Sequence, residues 1–571
     1  MAKPAPSRKP APGAFERVVI AAAATGDIAD FSGQDTPPVI RAEVLRRLLA
    51  GLAQQGSNNA DPVTPRGVRI SGAAIEGELD LSGWTGRADD PSRPLPALEC
   101  ITCTLTQPLY LDESRIGSLS LLGCKAVLIS AGSARIDGSV RLGGSSVSGA
   151  DDKYSGQKLA LDFAGAQIGG NVILRPHDGV RFHGCSECTF LGARIEGAFN
   201  ANGALLENPG GIALNCTRVN IRNSVFLTIE AGFRFETRGE ARFWIAQIGG
   251  QFALGGAHLQ NPGGAALGFQ GGTIRGNVFL RPSLSGIPFT ASGDIHFTGV
   301  RIEANLISRD TAIDGLVDMR NAHVNALFDD PQTGWPTRPG SLQLSGLTYE
   351  RLHSDGDVQR ENAVSARLEW ITRQYHDPER PSADEFDPQP YSQFAHYLRS
   401  RGQNDDADRV LIAMRRLRLR SHIDRGPLRL FQKFLGLTCG YGYSGARAIA
   451  ALLIWVLIGS GMYGAHALAG NFGPAESVMR GQHDSIAGVT VSIPGLMKTK
   501  VRGCPGLIAP LYAMDTILPL VEFGPRRACA FDPPGRFGAP LWRTLDFLYA
   551  LIGAIVFAIA VVTLTGLVRE D

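Results

Sequence analysis

Two Cys-x-x-Cys pairs, Cys100–Cys103 and Cys185–Cys188, are the first residues in this chain whose type and spacing suggest chemistry. Cysteines so spaced supply half of a tetrahedral zinc site, in which each sulfur lies about 2.3 Å from the ion. His183 is the one further ligand near the second pair. The alternative is core cysteines in a reducing cytoplasm, and the sequence favours it, so no metal site is assigned. Cys504 and Cys529 are a candidate disulfide in a segment between two apolar stretches.

Gly440-x-Gly442-x-x-Gly445 has the spacing of a dinucleotide fingerprint. That fingerprint works only after a buried strand, with an acidic residue about 20 positions further on. A basic segment precedes it here, and positions 455–475 hold no Asp or Glu, so no nicotinamide cofactor is expected. The acids Asp112, Glu113, Asp137 and Asp162 are candidates for lining a glycan groove. Asp515, inside the apolar run 506–522, is a candidate intramembrane carboxylate, a type of residue that is often functional. No Walker loop, HExxH motif or Gly-x-Ser-x-Gly elbow occurs in the sequence. No catalytic residue and no cofactor is assigned.

A repeat of 53 residues positions most of these groups. Val172, Val225 and Val278 follow one another at that interval, as do Leu174, Leu227 and Leu280. Glu-Asn-Pro-Gly-Gly at 207–211 returns as Gln-Asn-Pro-Gly-Gly at 260–264. Within each repeat the apolar residues alternate, as in Ala166, Ile168, Gly170, Val172 and Leu174, which marks strands with one buried face. Two strand cores per repeat give passes of 26–27 residues, and glycines punctuate the corners. The predicted fold is mainly β: a right-handed parallel β-helix, or solenoid, over 67–347. On that fold the two Cys-x-x-Cys pairs stand several strand spacings of about 4.8 Å apart and cannot share an ion.

Residues 1–13 read as a disordered, Pro-rich basic tail, and 14–66 as a helical N-terminal cap. Its predicted helices are Phe15–Thr25 and Val39–Leu49, the second with an apolar stripe of Leu45, Leu48, Leu49 and Leu52. A secretion signal is not favoured, because Glu16 and Arg17 directly precede a short apolar core, Val18–Ala24. Residues 348–446 read as a helical connector, in which 391–423 forms two helices joined near Gly402, similar to one tetratricopeptide-type hairpin.

Residues 447–571 read as a membrane domain. Ala448–Ala469 and Phe547–Val568 are each long and apolar enough to span about 30 Å of hydrocarbon. Residues 399–447 carry 11 Lys or Arg against four Asp, and Arg415, Arg416, Arg418 and Arg420 cluster there. That asymmetry predicts a multi-pass inner-membrane protein with the solenoid and both termini cytoplasmic, and with the basic cluster at anionic lipid headgroups. The net charge of +2 gives no ground for nucleic acid as a partner. The segment 506–522 contains Pro510, Asp515 and Pro519, which suits a re-entrant or interfacial element better than a third span.

The phrases Gly72–Leu81 and Gly165–Leu174, the segment Pro388–Val410, Tyr441-Gly-Tyr443, Pro510–Pro519 and Thr565-Gly566-Leu567 resemble those of bacterial membrane-anchored, pentapeptide-repeat-like β-helix proteins. The resemblance covers nearly the whole chain and implies a membrane-anchored β-helix. Members are sometimes catalogued as membrane-associated oxidoreductases, but the resemblance carries no catalytic residues onto this sequence. The expected function is a protein-binding or scaffold surface on the solenoid, with homo-oligomerisation through the spans as a further expectation. The alternative is an oligomeric channel or transport-related protein with 506–522 as a pore-loop-like element. A glycan- or redox-active enzyme ranks third.

Overall fold

The computed structural model describes residues 11–54, 59–353, 360–421, 427–475, 500–501, 504–505, 507–518, 523–532 and 538–565. Most of the predicted tail 1–13 and the end of the second predicted span lie outside the described residues. The chain divides into two compact units, residues 1–378 with 387–402 and residues 379–386 with 403–571.

The first unit is built on two large, predominantly parallel sheets of short strands. Successive passes of the chain return to the same sheet one strand further on. In one sheet Ile168 pairs with Ile195, Ile195 with Ile221, Ile221 with Ile248, Ile248 with Ile274 and Ile274 with Ile302. Those steps are 26–28 residues, against the 26–27 expected from the repeat. Pass length is not uniform, however. Leu98, Leu119 and Val140 pair at steps of 21, whereas Val68–Leu98 and Val140–Val172 step by 30 and 32. The ladder fixes only the inward residues, so corners absorb insertions at small entropic cost.

The inward rows are fully buried. One holds Phe163, Phe190, Cys216, Phe243, Phe269 and Phe297, whose backbone amides each donate to the following pass. Phe163 stacks on Phe190 at 5.2 Å and Phe243 on Phe269 at 5.9 Å, so identical side chains pile up along the core. The recurring Asn-Pro-Gly-Gly loops also fix their neighbours. Gly239 has φ +126°, and a Cβ there would lie 2.4 Å from the carbonyl oxygen of Asn208 one pass earlier.

Both ends of the sheets are covered. At the N-terminal end the helix Ala14–Thr25 buries Val19 and Ala23, and Glu16 forms an ion pair with Arg41 at 2.6 Å. The second predicted helix begins later than its spacing suggested, at Ala42–Ala50. Val39–Arg41 is a strand paired with Ala74–Glu76, and Ala29–Asp30 pairs with Ile70–Ser71. Val39 and Ile40 are β-branched, which lowers helix propensity, and the open sheet edge supplies partners. The sheets therefore begin before residue 67.

They also end after 347, with strand Thr348–His353. Its outer carbonyls meet side chains from the helix Gln389–Ser400. Gln393 Nε2 donates to Tyr349 at 2.7 Å, Tyr397 to Leu352 at 3.0 Å, and Gln389 Nε2 to the preceding Leu347 at 3.0 Å. These bonds satisfy an edge that would otherwise template aggregation. The helices predicted around Gly402 are Gln389–Ser400 and Asn404–Arg420, and the boundary between the two units falls between them.

In the second unit, helices Gly445–Leu468 and Pro540–Thr565 are long and apolar enough to cross a membrane. They pack together through Trp455 and Tyr549, whose rings stack at 5.4 Å and whose polar atoms each reach the other residue's carbonyl at 3.2 Å. Gly459 allows this contact, because a Cβ there would lie 2.1 Å from the Tyr549 hydroxyl.

Candidate functional site

Strand alternation sorts each sheet into inward and outward rows. In the strands that carry Val225, Phe252, Val278, Leu306 and Leu327 inward, the next residues are Phe226, Ala253, Phe279, Ile307 and Phe328. These outward residues are in register and apolar; four are half-buried, while Ala253 is 8% exposed. Arg281 lies over the Phe279 ring at 4.7 Å. Another outward row of the same sheet is charged. Arg194 and Arg222 both bind Glu196, at 2.6 and 3.2 Å, and Arg115 and Arg135 both bind Asp137, at 2.9 and 3.1 Å.

Of the four solenoid acids, two come together. Ser130 Oγ donates to Asp112 at 2.7 Å, and Ser130 pairs in register with Asp162. Asp137 is held by its arginines instead, and Glu113 sits exposed in a turn at φ +56°. Burial, then the charges of Asp152, Asp112 and Glu187, push the Asp162 carboxyl up to about 6, against the amide of Ala164. An unfolded Asp titrates near 3.9. Between those values the folded chain keeps a proton that the unfolded chain has lost, so stability falls as pH rises through that window. Asp162→Asn is expected to gain on the order of 2 kcal/mol at pH 7 and nothing at pH 4. Urea unfolding at the two pH values measures this, and an equal gain at both would rule out ionisation as the cause.

The two Cys-x-x-Cys pairs sit differently, and the Cys103 thiol is in contact with those of Cys100 and Cys124. Cys100, Cys103 and Cys124 are buried between passes, and Cys188 is buried in the core. Cys185 instead turns outward and is partly exposed. There its Sγ lies 3.4 Å from His183 Nε2, which is 2.5 Å from Glu207 Oε2. Arg238 binds the other Glu207 oxygen. The sequence offered His183 as a neighbour of Cys185, but Glu207 is 24 residues from His183 and only the register brings it in.

In the second unit, Arg416 and Arg420 are exposed and Arg415 and Arg418 half-buried on the helix Asn404–Arg420. Gly440–Gly442 forms a short 3-10 turn after a helix rather than a strand, so no dinucleotide-binding geometry arises. Within 506–522, Ala509–Ile517 is helical and buries Tyr512, Ala513 and Ile517, while 506 and 519–522 lie outside the described residues. Asp515 accepts the backbone amides of Phe523 and Arg526 at 3.1 and 3.0 Å, holding the turn that leads into Pro525–Ala528. The side chain of Cys504 lies outside the described residues, so its candidate disulfide with Cys529 does too. Sequence reasoning passed over Asp546, which accepts the Tyr463 hydroxyl at 2.5 Å. The hydropathy pattern placed the second span from residue 547, whereas the apolar helix extends back to Pro540 and includes it.

A parallel two-sheet protein with two apolar helices is the class that these elements define. Comparison with protein families, with curated proteins and with solved structures finds no match to the chain.

Proposed function

We propose that this chain is a membrane-anchored right-handed parallel β-helix whose outer face binds a protein partner as a scaffold. The observation that carries this reading is the apolar outward row Phe226, Ala253, Phe279, Ile307 and Phe328. A contiguous apolar stripe on a sheet that also carries a charged outward row is a common mark of an interaction site. Two apolar helices support anchorage. Passes of 21 residues, about four sides of five residues each, support kinship with the membrane-anchored pentapeptide-repeat-like proteins. The basic cluster Arg415, Arg416, Arg418 and Arg420 supports a bacterial inner-membrane protein that is multi-pass, with the β-helix and both termini cytoplasmic. The span helices are also the surface through which copies would associate.

The test is photo-crosslinking in membranes of the native host. A photoreactive residue at Phe279 is expected to give an adduct of one defined mass, lost on Phe226→Asp. The same residue at Gln247, which pairs in the charged row, is expected to give none. No adduct, or equal adducts at both positions, overturns the proposal.

A further inference from the structure

The outward cluster of His183, Cys185 and Glu207 goes beyond a scaffold reading. His183 and Cys185 are two residues apart and share a side, and Gly184 pairs with Leu206, which sets Glu207 opposite Cys185. Among the described residues, these three form a group that offers a nitrogen, a sulfur and a carboxylate oxygen all within 4.8 Å of one another. We propose that His183, Cys185 and Glu207 are a three-ligand site for a zinc-class divalent ion, with the fourth position open to solvent.

The spacing suits that ion. Bonds of about 2.0–2.3 Å in a tetrahedral site leave ligand atoms roughly 3.3–3.8 Å apart. The 3.4 Å separation of His183 Nε2 from Cys185 Sγ already lies in this range. The shorter His183–Glu207 contact has to open by about 1 Å to admit the ion. Arg238, on the other Glu207 oxygen, fixes the carboxylate in place. The side chains of His183 and Glu207 are 32% and 21% exposed, which leaves a route in and room for water as fourth ligand.

The donor set selects the metal. A thiolate and an imidazole favour zinc-class ions, whereas magnesium and calcium take oxygen ligands. One thiolate and one carboxylate also balance the charge of a divalent ion.

The test is cobalt titration of the full-length, untagged chain in detergent. One Co²⁺ per chain is expected, with a thiolate-to-cobalt charge-transfer band that zinc displaces. Cys185→Ser should abolish the band, and Cys188→Ser, a core change, should leave it. Glu207→Gln, which keeps the side chain's size, should weaken binding by about tenfold or more. X-ray absorption of the zinc-loaded wild-type chain provides a readout without mutation. One sulfur at about 2.3 Å with nitrogen and oxygen near 2.0 Å is expected. No band, a band that survives Cys185→Ser, or a shell with no sulfur or with two or more overturns the proposal.

Discussion

Asp329→Ala is expected to destabilise the C-terminal end of the sheets by about 3–5 kcal/mol. The Asp329 carboxylate is completely buried and accepts from Arg367 at 2.5 and 2.9 Å and from Trp335 Nε1 at 2.6 Å. The Arg367 side chain is 4% exposed and lies over the Trp370 ring at 4.7 Å. Removing the carboxylate strands a guanidinium in the interior and leaves an indole donor unpaired. The loss should be local, because each pass of a stacked fold contacts chiefly its neighbours. Hydrogen exchange should therefore accelerate in His323–Asp329 and Thr348–His353 and stay unchanged in the passes around Ile168. Asp329→Leu combined with Arg367→Met should recover most of the loss, since a buried pair contributes little beyond an apolar pair of similar volume. A change below about 1 kcal/mol for the single variant would show that water reaches the pair.

Phe269→Ala should cost a similar amount, about 3–5 kcal/mol, by a different mechanism. The ring is wholly buried, stacks on Phe243 at 5.9 Å, meets Phe252 edge-on at 5.5 Å and lies 6.4 Å from Phe297. Truncation removes its transfer free energy and leaves a void flanked by rings that cannot collapse without disturbing their own passes. Phe269→Leu should cost markedly less, because most of the volume stays filled. Urea unfolding of both variants decides the matter, and equal losses would point to backbone distortion instead. Cys216 stands in the same row, between Phe190 and Phe243. This indicates that the row requires apolar filling rather than a ring at every level.

The contrast between these two sites shows how far the sequence reaches. The phenylalanine row sits on the repeat, since a recurring interval and strand alternation return apolar residues to one place in the core. Asp329 and Arg367 lie outside the period and 38 residues apart, so no local pattern pairs them.

What the sequence determined by itself was whatever short-range periodicity encodes: the parallel strands, their inward faces, the 26–27-residue step and two helices apolar enough for lipid. These follow from side-chain alternation and from the length of uninterrupted apolar runs, both local properties. Tertiary structure alone decided which outward groups meet. It turned Cys185 away from Cys188 and toward Glu207, engaged Asp515 in a turn, brought Asp546 to Tyr463, and made Val39–Arg41 a strand rather than a helix. The physical reason is register. Contacts across passes depend on how many residues each corner consumes, and that number varies from pass to pass with little energetic penalty.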